Sequence, residues 1–144
     1  MEKLELKHIA PYLPYKLIVR QTGQFEQPMA DEFIMTVDNI DIVYANHIKP
    51  LLRPLSDLTK EIPNDKNHVL LPLETLKRLE KNEFHKCSGA KSFIAACELK
   101  KIPFSRDRWI AKKLTNCPYW IIQKLFEWHF DVFGLIPAGL AIKK

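Results

Sequence analysis

At 144 residues, 47% of them hydrophobic, the chain has the size and apolar content for one ordinary core, so a single domain over residues 1–144 is expected. A formal charge of +5 admits an acidic partner without selecting a phosphate backbone over an acidic protein surface. The apolar runs are too short to span a membrane, and three cysteines (one necessarily outside any internal disulfide) with no apolar leader favour a reducing, cytoplasmic setting.

In chain order, MEKLELKHIA reads as a short strand or a helical turn, and the two prolines of PYLPY stop a longer helix. Residues 16–20, Lys-Leu-Ile-Val-Arg, fit a partly buried strand that turns at Thr22 and Gly23. Residues 33–37 and 40–44 are two further strands joined through Asp38 and Asn39, which predicts a three-stranded antiparallel sheet. The stretch 24–48 holds Glu26, Asp31, Glu32, Asp38 and Asp41 but no lysine or arginine. It reads as a solvated acidic face, with an acidic docking surface as the alternative; the spacing does not match a calcium loop.

Leu51, Leu55, Leu58 and Ile62 then repeat at helical intervals, with Pro54 at the start and Pro63 after the last turn, and Arg53 and Asp57 stand one turn apart. Residues 64–68 read as a loop, Leu70 and Leu71 as a short strand, and Pro72 as the start of a helix. Leu73, Leu76 and Leu79 form the apolar side of that helix; Lys77, Arg78 and Lys81 point elsewhere. His85, Cys87, Cys97 and Cys117 lack a second compact ligand pair, so no metal and no cofactor are expected. Ser88 is suited to cap a helix whose buried face is Ala90, Phe93, Ile94 and Cys97. Pro103 breaks the chain, and Ser105 is suited to cap a helix carrying Trp109, Ile110 and Leu114.

Residues 117–142, CPYWIIQKLFEWHFDVFGLIPAGLAI, look like the organising element. Pro118 suits a first helical position and Gly134 a stop. On that helix Gln123, Lys124, Glu127 and Asp131 make a narrow polar arc, while Ile121, Ile122, Leu125, Phe126, Trp128, His129, Phe130, Val132 and Phe133 fill the rest. Trp120 falls inside the polar arc, which makes it a candidate for a partner surface against local packing at the helix start. The whole pattern predicts an α+β fold: a short N-terminal antiparallel sheet packed with a mainly helical C-terminal half, with four or five helices in all.

The densest interaction signal is residues 100–113, where Lys100, Lys101, Arg106, Arg108, Lys112 and Lys113 face only Asp107. That segment carries a formal +5, so the rest of the chain sums to zero. Basic groups around Trp109 suit phosphates with a base stacked on the indole, or acidic side chains of a protein; a solvated face is the plain alternative. Glu127, His129 and Asp131 alternate, and alternate positions on a helix diverge, so they form no local triad. His129 then reads as a hydrogen-bonded core histidine, with a general base completed by a distant carboxylate as the alternative. No phosphate loop or dinucleotide fingerprint is present.

The phrases PYLPYKL, IKPLLRPLSDLTKEI and LFEWHFDVFGLIPAGLAI resemble those of a group of small prophage and mobile-element proteins of Bacteroidota. The resemblance covers both ends and the middle of the chain, while residues 84–117 are particular to it. It carries over no catalytic residue. A mobile-element origin implies a non-enzymatic protein that binds and inhibits a host effector, such as a CRISPR protein or its guide-RNA complex, with RNA contacted through the basic segment. A nucleic-acid-binding accessory protein and a small structural protein are the alternatives.

Overall fold

A computed structural model of the chain describes residues 3–21, 32–39, 48–63, 69–82, 87–99 and 105–144. They group into two compact units, Met1–Arg53 with Leu125–Lys144, and Pro54–Lys124. The fold is mixed α and β, with a four-stranded sheet built mainly from the N-terminal half and four of the five described α-helices within residues 72–127.

In the first unit the opening residues take the helical alternative: helix α1, Leu6–Ile9, runs into a 3-10 helix, Ala10–Tyr15. Pro14 cannot donate to an α-helical ladder, and Lys16 ends the segment in the left-handed region at φ 55°. Strand β1, Ile18–Gln21, pairs antiparallel with β2, Glu32–Ile34, and with β3, Ile48–Leu52. The C-terminal strand β6, Ile142–Lys143, adds parallel to β3, giving the order β2-β1-β3-β6. The antiparallel three-stranded arrangement expected from the sequence is there, but its third strand is β3. The strand expected at residues 40–44 lies outside the described residues. Pro50 is tolerated inside β3 because β6 pairs only with Leu51 and Leu52, leaving no strand beside Pro50 on that edge among the described residues. The core of this unit joins Leu4, Ile9, Tyr12, Leu17, Val19, Met35, Ile48 and Leu52 to Leu135 and Ala141.

The second unit is mainly helical. Leu55 and Leu58 are buried as expected, but on a 3-10 helix, Leu55–Thr59, that follows Pro54; Leu51 belongs to β3, and Ile62 to strand β4, Ile62–Pro63. Strand β4 pairs with β5, Val69–Leu70. Helices α2, Pro72–Glu80, and α4, Arg106–Lys113, flank α3, Ser88–Glu98, and all three pack on the 3-10 helix. Ala90, Phe93, Ile94 and Cys97 of α3 are buried, the face its spacing predicts. The cap is Cys87 rather than Ser88: the Cys87 Sγ accepts from the Ala90 amide at 3.3 Å. Gly89 is fixed by close approach, since a Cβ there would collide with the Asn116 carbonyl oxygen.

Helix α5, Tyr119–Glu127, ends well before the expected stop at Gly134. Its end is a Schellman closure: the Phe130 amide donates to the Leu125 carbonyl at 2.8 Å, and the His129 amide to that of Phe126 at 3.0 Å. His129 holds the left-handed position at φ 60°, where glycine is usual. The helix is thus shorter than its apolar periodicity, and His129, Phe130 and Asp131 do not lie on it.

Candidate functional site

Two regions hold the residues with chemistry, one in each unit. In the first, the chain after α5 is bound into the sheet side of its unit by backbone and buried polar groups. The Arg53 amide donates to the His129 carbonyl at 2.7 Å, and the Asp131 amide to the Arg53 carbonyl at 2.8 Å, forming a bridge between Arg53 and Phe130. Arg53 Nη1 donates to the Trp128 carbonyl at 2.7 Å. The Tyr12 hydroxyl donates to the Phe130 carbonyl at 2.5 Å and accepts from the Val132 amide at 3.3 Å. Burial, first of all, pushes the Tyr12 phenol far above its ordinary range.

Asp131 is buried at 5% exposure, and the exposed polar arc expected for it is corrected: its two oxygens accept from the amides of Leu135 and Ile136 at 2.7 and 2.9 Å. Those amides open a single turn that closes at Gly139, φ 76°, by the same paired bonds as α5, from Leu140 to Leu135 and from Gly139 to Ile136. His129 Nε2 lies 2.6 Å from the Tyr15 carbonyl, an acceptor only, so Nε2 carries the proton. Its Nδ1 accepts from Lys144 Nζ at 3.0 Å. The histidine is therefore hydrogen-bonded at both ring nitrogens, the core role read from its sequence position. Glu127 is exposed, so the three alternating groups are not brought together.

In the second unit the basic segment divides. Lys100 and Lys101 lie outside the described residues. Ser105 caps α4 as its spacing predicts, its Oγ accepting from the Arg108 amide at 3.3 Å. Asp107, the acid of the segment, turns inward, where Oδ1 accepts from the Ser56 amide at the start of the 3-10 helix at 2.7 Å. Arg106 is half-buried, and its Nη1 donates to the Cys97 carbonyl in the last turn of α3 at 3.1 Å. Arg108 and Lys112 are exposed on α4. Lys113 stands over the half-buried Trp109 ring, 5.0 Å from its centroid, a cation–π contact one helical turn apart. Asp57, read as one turn from Arg53, pairs with Lys60 at 3.1 Å.

Trp120 is half-buried in the first turn of α5. Among the described residues the aromatic most open to solvent is its neighbour Tyr119, 76% exposed, which no polar-arc position marks in the sequence. Burial, as the largest cause, pushes the Cys97 and Cys117 thiols up to about 12, so both stay protonated and unreactive near neutrality. Among the described residues no group of three or more His, Cys, Asp or Glu is placed to hold a metal ion.

Next to α4 in this unit, Leu58, Leu71 and Leu73 wall a cleft of about 580 Å³ that also receives Lys77, Glu98 and Arg106. Lys77 bridges Glu98 at 2.6 Å and Glu74 at 3.4 Å. The hydrogen bond to Glu98, as the largest cause, holds the Lys77 ammonium above its ordinary pKa. Among the described residues no helix is long and apolar enough to cross a membrane. Comparison of the chain with protein-family models, curated proteins and solved structures finds no match in any of the three.

Proposed function

We propose that this chain is a non-enzymatic protein of a phage or other mobile element that docks on an acidic face of a host effector, a protein or ribonucleoprotein such as a CRISPR complex. The observation that carries the reading is the division of labour on α4: Asp107 is spent inside the unit on the Ser56 amide, while Arg108 and Lys112 are presented outward. Such a face attracts anionic surfaces and steers association more than it sets raw affinity. Lys113 already occupies a face of the Trp109 ring, so a base stacking there would have to displace it. That favours docking by charge over threading of a bare strand. His129 takes no part in this reading, since its two ring nitrogens are engaged by Tyr15 and Lys144.

Fluorescence anisotropy with unrelated single-stranded RNA and DNA oligonucleotides, repeated over a salt series, tests this reading. Weak binding, without preference among the oligonucleotides, is the expected result. Tight, sequence-independent binding that falls steeply with salt and is abolished by the double variant would overturn it in favour of a nucleic-acid-binding accessory protein.

A further inference from the structure

A guanidinium taken partly out of water is stabilised most by a carboxylate, which it grips with two parallel hydrogen bonds. Arg106 is half-buried, yet among the described residues its hydrogen bond goes to a neutral carbonyl, that of Cys97. The other cation of the same cleft, Lys77, is held by Glu98 and Glu74, so the two carboxylates on the wall are committed to it. The rest of the wall is Leu58, Leu73 and Cys97, all buried beneath it, with the exposed Thr59 at its rim and Leu71, 42% exposed, as an apolar lip. A volume of about 580 Å³ lies inside the range of roughly 300–1,000 Å³ typical of ligand pockets.

We infer that this cleft seats a short peptide segment of the partner in which an acidic side chain neighbours an apolar one, with Arg106 gripping the carboxylate and Leu71, with the accessible edge of Leu73, holding the apolar side chain over the buried Leu58. The inference rests on the reading of the chain as a protein-docking module and gives that module a second, sequence-selective contact beside the outward face of α4. Specificity follows from the chemistry of the site. An amide in place of the carboxylate loses the charge of the fork, and a polar neighbour leaves the leucine walls wet.

The test uses the full chain in 1H–15N NMR titrations with two blocked dipeptides, N-acetyl-leucyl-glutamate amide and N-acetyl-leucyl-glutamine amide. The acid should shift the amides of Leu58, Leu71, Leu73 and Cys97 saturably at millimolar concentration, and the glutamine peptide should bind about tenfold more weakly. Arg106→Gln should erase that preference, while Leu71→Ser, at an exposed position, should weaken both peptides. Equal binding of the two peptides by the parent protein, or no movement at the cleft, would overturn the inference whether or not Arg106→Gln folds. Arg108→Glu with Lys112→Glu should leave the dipeptide titration unchanged, so a failure of the cleft and a failure of the α4 face are read separately.

Discussion

Replacing Asp131 by alanine removes the acceptor for two amides at once. The Leu135 and Ile136 N–H groups donate to its two oxygens at 2.7 and 2.9 Å, and the residue is 5% exposed, so water cannot readily substitute. A hydrogen bond to a charged acceptor contributes about 1.5–3 kcal/mol. Relief of the buried carboxylate's desolvation offsets part of the loss, which leaves a net destabilisation of about 3 kcal/mol. Against a total stability on the order of 5–15 kcal/mol this is a large fraction. At about 2–4 °C per kcal/mol for a chain of this size, the melting temperature should drop by roughly 6–12 °C. Asparagine keeps one acceptor and turns an NH2 group toward the other amide, so Asp131→Asn should fall about midway between alanine and the parent. The assay is thermal unfolding followed by circular dichroism, checked by urea titration. An alanine variant that melts within about 1 °C of the parent would refute the assignment of Asp131 as the cap of the 135–139 turn.

Three further outcomes follow from the same geometry. His129→Ala and His129→Gly both lose the bonds to Tyr15 and Lys144, but only alanine retains the left-handed penalty, so alanine should be the less stable by about 1 kcal/mol in urea unfolding. Gly89→Ala forces a Cβ against the Asn116 carbonyl and should cost about 1–3 kcal/mol; a silent substitution would contradict the close approach. His8 is 3% exposed, its Nδ1 accepts from the Glu5 amide at 3.0 Å, and burial, with a lesser effect from Lys7, lowers its pKa below the usual 6.5. Its contribution to stability is therefore present above that value and lost as pH falls through it toward the lower folded pKa. The urea midpoint should decline between about pH 7.5 and pH 5, and His8→Gln should flatten the decline.

Much of the fold is legible in the sequence because local signals and packing agree. Pro72 opens α2, Ser105 caps α4, and the spacing of Ala90, Phe93, Ile94 and Cys97 gives the buried face of α3. The largest departure is after Glu127, where apolar periodicity continues but the helix does not. The bonds that replace it come from Arg53 and Tyr12, distant in sequence, and the left-handed position is filled by histidine without the glycine that would have marked it. Strand β3 was hidden for a related reason: Pro50 argues against a strand, and only the partial reach of β6 makes room for it.

At the candidate site, composition locates the basic segment but cannot tell which side chains face out. Periodicity on so short a helix does not reveal that Asp107 and Arg106 are drawn inward by a backbone amide and a backbone carbonyl, because those partners lie on other elements. The phrase WHFDVFGLIPAGLAI has a structural explanation in the Asp131 cap, the Gly139 closure and the pairing of β6.

The most direct measurement of docking through α4 is tagged capture from a bacterial host lysate, with and without nuclease, comparing the parent chain with the Arg108→Glu, Lys112→Glu double variant. Both positions are exposed, and circular dichroism with thermal melting establishes that the variant compared is folded. One defined protein or ribonucleoprotein, enriched by the parent after nuclease treatment and lost with the folded double variant, is the result predicted. Equal recovery by the two chains, or bulk nucleic acid alone, would contradict it.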